Sequence, residues 1–242
     1  MISIFWKEIH TFFSSLIAYM VIAVFLVLNG LFMWVFTDSS VLDYNYASMD
    51  PLFSLAPFIL LILIPAITMR SFAEERQRGT IEFLFTKPLT DYDIILGKFL
   101  ANLCLVIFAL LPTLVYYYSV YQLGSPVGNL DSGAIAGSYI GLLFLSASFV
   151  SLGMLASALT DNQIVAFILG AFLCFLVHWA FDYIASMPVF IGNIDAFIDK
   201  FGIQSHYDAM SKGAIDTRDL VYFAALISIC ITACHAIITS KK

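Results

Sequence analysis

Along this chain, charged residues punctuate long apolar runs. Six stretches contain no Asp, Glu, Lys or Arg: Phe12 to Phe36, Pro51 to Met69, Phe99 to Leu123, Gly133 to Leu159, Asn162 to Phe181 and Leu220 to Ser240. As helices rising 1.5 Å per residue, each is long enough to cross a hydrocarbon core of about 30 Å. Membrane strands would need only about ten residues each, with alternating polarity, and that alternation is missing. The pattern predicts an all-α integral membrane protein with six transmembrane helices in a single domain over 1–242.

The segments between the runs have patterns of their own. On a helical wheel, Ile2, Phe5, Trp6, Ile9, Phe12 and Phe13 share one face, with only Ile4 out of place among the polar residues opposite. This predicts an interfacial helix over 1–11, lying in the headgroup layer before the first span; a plain extension of that span is the alternative. Only Thr160 and Asp161 separate the fourth and fifth runs, so those spans form a tight hairpin. Residues 182–219 carry helix signals: Ile194, Phe197, Ile198 and Phe201 repeat at helical spacing after Asn193, Ser205 and Asp208 have capping-box spacing, and Gly213 suits a C-cap. Asp216 and Asp219 are placed to open the last span.

Composition agrees with the pattern. The 242 residues are 61% hydrophobic and 12% charged, against roughly 25% charged in soluble domains. No basic stripe accompanies the net charge of -6, so no nucleic-acid partner is expected; the lipid bilayer is. Cys104, Cys174, Cys230 and Cys234 lie in apolar runs without metal-site spacing and read as small apolar residues. Lysines and arginines gather in the segments that share a side with the N-terminus, at Lys7, Arg70, Arg76, Arg78, Lys87, Lys98, Lys241 and Lys242. The other side has Lys200, Lys212 and Arg218. Positive residues near span ends remain cytoplasmic, so both termini are predicted there.

Charge is densest in EERQRGTIEFLFTKPLTDYDIILGK, residues 74–98, which holds nine of the chain's 28 Asp, Glu, Lys and Arg residues. Within the segment 70–98, Arg70, Glu74 and Arg78 are spaced for ion pairs on one helix face. Gly79 then suits a C-cap, Thr80 an N-cap for a short helix Ile81 to Phe85, and Pro88 a stop. Thr90 with Asp93 forms a capping box that launches the third span. Ile81, Phe83, Leu84 and Phe85 make an apolar patch framed by charge, which fits either a protein contact or a fold-back onto the membrane or the chain's own helices.

Glu75, Gly79, Thr80, Glu82, Leu84, Lys87, Pro88, Gly97 and Lys98 together resemble the connection between spans 2 and 3 of type-2 ABC exporter permeases. The likeness extends over essentially the whole chain and is nearest to gliding-motility permease subunits, supported by SHYDAMSKGAIDTRDLVYF before the last span. This resemblance implies that Gly79 to Phe85 is a coupling helix seated on a cytoplasmic ABC ATPase; ion pairs of Glu75, Arg78, Glu82 and Lys87 at its rim are then expected to fix its orientation. It also implies that residues 182–219, with Phe197, Phe201, His206 and Tyr207, help form an outer gate. The membrane would be the bacterial inner membrane, and the partners an ATPase and either a second permease copy or a related membrane subunit.

No G-x-x-x-x-G-K-[ST] occurs: Gly97-Lys98 lacks the upstream glycine and is followed by Phe99. ATP and Mg are therefore expected on the partner, with no cofactor in this chain and no catalysis by it alone. An intramembrane enzyme or an ion-coupled carrier would need ionisable groups within the spans, which lack carboxylates. His178 and Asp182, at i and i+4, suit a helix-end hydrogen bond better than a metal site. His10 and His235 read as interfacial and His206 as solvated.

Overall fold

In the computed structural model, the described residues are 1–37, 40–43, 46–80, 89–187 and 200–240. Among them the regular elements are helical: α1 (Ile2–Ser14), α2 (Leu16–Trp34), α3 (Asp50–Thr68), α4 (Ala73–Gln77), α5 (Asp91–Leu110), α6 (Leu114–Leu123), α7 (Ser132–Leu159), α8 (Gln163–Phe175), α9 (Phe181–Ala185), α10 (Ile203–Ser211) and α11 (Thr217–Ser240). They include six helices long and apolar enough to cross a membrane, Leu16–Trp34, Asp50–Gln77, Asp91–Leu123, Ser132–Leu159, Gln163–Ala185 and Thr217–Ser240. These match the six apolar runs in number and order.

The longest run becomes the axis. Helix α7 is rich in Gly, Ala and Ser, which let neighbouring backbones approach closely. It packs against α3, α8, α10 and α11. In its most apolar stretch 78% of residues are buried, against 22% in the fifth and sixth spans. The less enclosed spans turn large apolar side chains such as Ile164, Ile168, Phe172, Val221 and Ile229 outward, the arrangement a lipid solvent requires.

Polar signals set the helix ends. Asp131 Oδ1 accepts from the N–H groups of Gly133 and Ala134 at the start of α7. Asn162 caps α8 in the same way, through the Ile164 and Val165 N–H groups. Pro112 interrupts the third span with a 3-10 turn at Leu111–Thr113 and divides α5 from α6. Pro57 and Pro65 lie inside α3 without ending it. The fifth span passes through a π turn at Leu176–Ala180 and continues to Ala185, beyond the Phe181 at which the apolar run ends.

The junction between α1 and the first span also differs from the pattern-based expectation. The break before the first span falls at Ser15, in extended backbone, and α1 runs to Ser14. Ser14 and Ser15 donate their hydroxyls back to the carbonyls of Thr11 and Phe12, which ends the helix after the apolar residues have begun. On α1, Ile4 is buried at 4% exposure, whereas Ile2 and Trp6 are 68% and 55% exposed. The helix therefore turns Ile4, Glu8 and Phe12 towards the bundle and leaves Ile2 and Trp6 outward.

Candidate functional site

Both termini of the described bundle, the α4 region and the α7–α8 turn gather at one end, where Met1 lies 3.3 Å from Asp93 and Arg76 lies 3.5 Å from Asp161. At this charged end the chain leaves α3 and turns into α4. A single hydroxyl of α7 secures the turn: Ser157 Oγ donates to the Met69 carbonyl and accepts from the Phe72 and Ala73 N–H groups. These are orphan donors at a helix start, and buried ones require a partner. The Arg76 guanidinium donates to the Ala158 carbonyl, and Gln163 donates to Gln77 at 3.4 Å. Helix α4 is thereby fixed to the α7–α8 turn.

On its other side α4 joins an ionic cluster. Lys98 is 1% exposed, yet its Nζ lies 2.9 Å from Glu8 Oε1 and 2.9 Å from Glu75 Oε1, with the Phe72 ring centroid at 5.4 Å. Lys7 Nζ reaches the same two carboxylates, at 3.1 Å from Glu8 and 2.8 Å from Glu75. Two cations and two anions from α1, α4 and α5 balance one another, the condition under which buried charge is tolerated. Burial opposes the charge on Glu8, but the Lys98 and Lys7 ammonium groups outweigh it and hold the carboxyl below the usual carboxylate range. For Lys7, too, burial acts against the charge; Glu8 and Glu75 prevail and raise its pKa.

Close backbone approach makes the cluster possible. A Cβ at Gly97 would stand 3.0 Å from Ile4 Cβ and 3.1 Å from the Met1 carbonyl oxygen, so glycine lets α1 cross α5 directly beside Lys98. The Gly97-Lys98 pair thus has a structural task distinct from phosphate binding. Arg70, Glu74 and Arg78 pair as their spacing predicts, with Glu74 2.7 Å from each guanidinium. Arg78 and Glu75 hold the junction itself, Arg78 through Glu74 and Glu75 through the two lysines.

The expected coupling segment begins and ends on defined caps. Gly79 adopts φ +67°, its N–H donates to the Arg76 carbonyl and the Thr80 N–H to the Glu75 carbonyl, a Schellman ending for α4. Thr90 Oγ1 accepts from the Asp93 N–H while Asp93 Oδ2 accepts from the Thr90 N–H, completing the capping box. Ile81, Glu82, Phe83, Leu84, Phe85, Lys87 and Pro88 lie outside the described residues.

At the far end, α10 fits into a notch on α7. Gly137 and Gly141 leave room for it: a Cβ at Gly137 would come 3.0 Å from Gly213 Cα and 3.1 Å from the Met210 carbonyl oxygen, and one at Gly141 2.9 Å from Met210 Cβ. Tyr207 is buried and donates its hydroxyl to the Phe53 carbonyl at 2.7 Å, and Ser138 donates to the Ser211 carbonyl. Gly213 ends α10 with φ +82°, as its position suggests. The spacing of Gly133, Gly137 and Gly141 is the familiar small-residue packing signal and points to this contact from sequence.

Several expectations for this region change. Helix α10 starts at Ile203 with Gly202 as its N-cap, so Ser205 stands inside the helix and not at the capping position expected of it; its hydroxyl donates to the Gly202 carbonyl. His206 is not solvated: its ring stacks on Tyr222 at 4.0 Å, Nδ1 lies 2.7 Å from Asp219 Oδ1 and Nε2 3.0 Å from the Lys200 carbonyl. Asp216, as expected, caps the last span through the Arg218 N–H. Phe201 is exposed and accepts from Tyr222 Oη through its carbonyl, while Phe197 and the Asn193 helix lie outside the described residues. His178 is buried against Phe149, and among the described residues its Nδ1 has no hydrogen-bond partner, unlike the helix-end bond expected of it. His235 stacks on Tyr92 at 4.2 Å near the charged end.

Comparison with known proteins gives this architecture a family. The chain is 29% identical over 157 residues to a protein named probable multidrug ABC transporter permease YbhR, in Escherichia coli K12 and in Escherichia coli O157:H7. That alignment covers 63% of this chain and 40% of the relative, so the chain spans less than half the length of the curated relatives it matches. The ABC-2 family transporter protein pattern matches residues 2–240, from the start of α1 to the end of α11, and the chain belongs to that family.

Proposed function

We propose that this chain is the permease subunit of an ATP-binding-cassette exporter in the bacterial inner membrane, worked by a separate ATPase that docks on the segment from Gly79 to Phe85. The observation that carries this reading is the charged junction. Glu75, four residues before Gly79, is held by Lys98 of the third span and Lys7 of α1, while Arg76 is held by the α7–α8 turn. A push on the segment between the Gly79 and Thr90 caps therefore reaches α1, the third span and the α7–α8 hairpin together. The partner holds ATP and Mg.

Lys7, Arg70, Arg76, Arg78 and Lys98 share the charged end, which supports assigning that end and both termini to the cytoplasm. A second permease copy or a related membrane subunit completes the pathway beside the weakly enclosed spans. The packed α10 helix, with His206 and Tyr207, belongs to an outer gate in this scheme, together with Phe197 and Phe201. The resemblance to gliding-motility subunits supports a task in cell-surface assembly or movement. A second reading, export of drug-like compounds, is favoured by the name of the Escherichia coli relative.

Replacing Phe83 and Leu84 by Asp tests the docking reading. The ATPase copurifies with the native chain and is lost from the double variant; undiminished copurification would refute docking at this segment. Stimulation of the complex's ATPase by apolar dyes would favour drug export over work on the cell surface.

A further inference from the structure

Between α1 and the α3–α4 elbow lies a cleft of about 330 Å³ that reaches from Ser15 to Thr80. Its charges do not cancel. Lys7 and Lys98 are matched by Glu8 and Glu75, whereas Glu74 alone faces both Arg70 and Arg78, at 2.7 Å from each. Among the described residues the lining holds no other carboxylate, and so carries one more cation than carboxylates. Arg78 is 66% exposed along its side chain, leaving N–H donors available to a ligand.

The location selects the ligand. Helix α1 turns Trp6 and Ile2 outward, as an interfacial helix does, and Ser15 at the mouth of the cleft is where the chain enters the first span. Leu16, Tyr19 and Met20, in the first turn of that span, are exposed and form an apolar track beside the mouth. A guanidinium pair next to an apolar track suits a molecule with a phosphate head and acyl chains. We propose that the cleft holds the phosphate of an anionic phospholipid, with Arg70 and Arg78 as its ligands and the first turn of α2 as the acyl track. Bound there, the lipid bridges α1 to the elbow that carries α4, independently of whether an ATPase docks below.

The full chain in detergent micelles supplies the test, with phosphatidylglycerol, phosphatidylcholine and inorganic phosphate as probes, read by thermal unfolding and by native mass spectrometry of retained lipid. Phosphatidylglycerol raises the Tm and remains bound, while phosphatidylcholine and inorganic phosphate do neither. Arg78→Gln weakens the phosphatidylglycerol effect about fivefold, the value of about 1 kcal/mol for one juxtamembrane cation. The Arg70→Gln/Arg78→Gln double variant abolishes it, and Lys212→Gln at the far end leaves it intact. Should the double variant not fold, the exposed Arg78→Gln variant carries the test alone. An equal effect of phosphatidylcholine, or an unchanged effect in Arg78→Gln, would overturn the proposal. An equal shift from inorganic phosphate would make this a free-anion site and overturn the lipid assignment. Loss of the effect in Lys212→Gln would reduce it to bulk charge.

Discussion

Replacing Lys98 by Met removes the cation at the centre of the junction while nearly preserving the side chain's length. Lys98 is 1% exposed and lies 2.9 Å from both Glu8 and Glu75, so the variant leaves two largely buried carboxylates to share Lys7, which is half exposed. Breaking a buried ion pair from one side costs about 3–5 kcal/mol, because the remaining charge loses its partner. At about 2–4 °C per kcal/mol for a chain of this size, the Tm in detergent falls by roughly 6–20 °C. A double-mutant cycle with Glu8→Gln separates charge from packing. Removing one carboxylate relieves the surplus that Lys98→Met creates, so the double variant is more stable than the sum of the singles predicts, by about 1 kcal/mol or more. A Tm within about 2 °C of the native protein, or strict additivity in the cycle, would refute the cluster as the tie between α1, α4 and α5.

Three further outcomes follow from the same contacts. Gly97→Val drives a side chain into Ile4 and the Met1 carbonyl and destabilises by about 1–3 kcal/mol, read as lower Tm and faster proteolysis within α1. Gly137→Val meets the backbone of Met210 and Gly213, which cannot yield as a side chain would, and faster hydrogen exchange over Ile203–Ser211 reports the loosening of α10. The lowered carboxyl pKa of Glu8 makes its contribution fully present above the usual carboxylate range and lost as pH falls through the depressed folded value. Lys7, raised, contributes below the usual lysine value and loses that contribution as pH climbs through its folded one. Thermal unfolding against pH therefore shows the native chain and Glu8→Gln furthest apart near neutrality and converging in acid.

Six spans were legible because a helix in lipid must satisfy its own backbone, and that demand writes an apolar run of the right length for each crossing. Caps at Gly79, Thr90, Gly213 and Asp216 were readable because a glycine or a short polar side chain stood where the helix pattern broke. The end of α1 was not, since the apolar face of an interfacial helix and the first turn of a span use the same residues. Ile4 looked misplaced on a wheel that assumed one apolar face; the helix has two, one exposed and one towards α5. The ionic cluster left no local sign, because Lys98 lies 90 positions from Glu8 and Lys7 lies 68 from Glu75. Among the proposed site residues, Glu75 belongs to the motif shared with the family and was expected to orient the coupling helix through an ion pair at its rim. In the fold, its carboxylate faces inward, joining that segment to the rest of the bundle.

A photo-crosslinking residue at position 83, within the complex isolated from its native membrane, tests the central claim most directly. The account predicts a crosslink to a nucleotide-binding chain, with a yield that changes between ATP-bound and nucleotide-free states. Crosslinks confined to lipid or to this chain, unchanged by nucleotide, would contradict it.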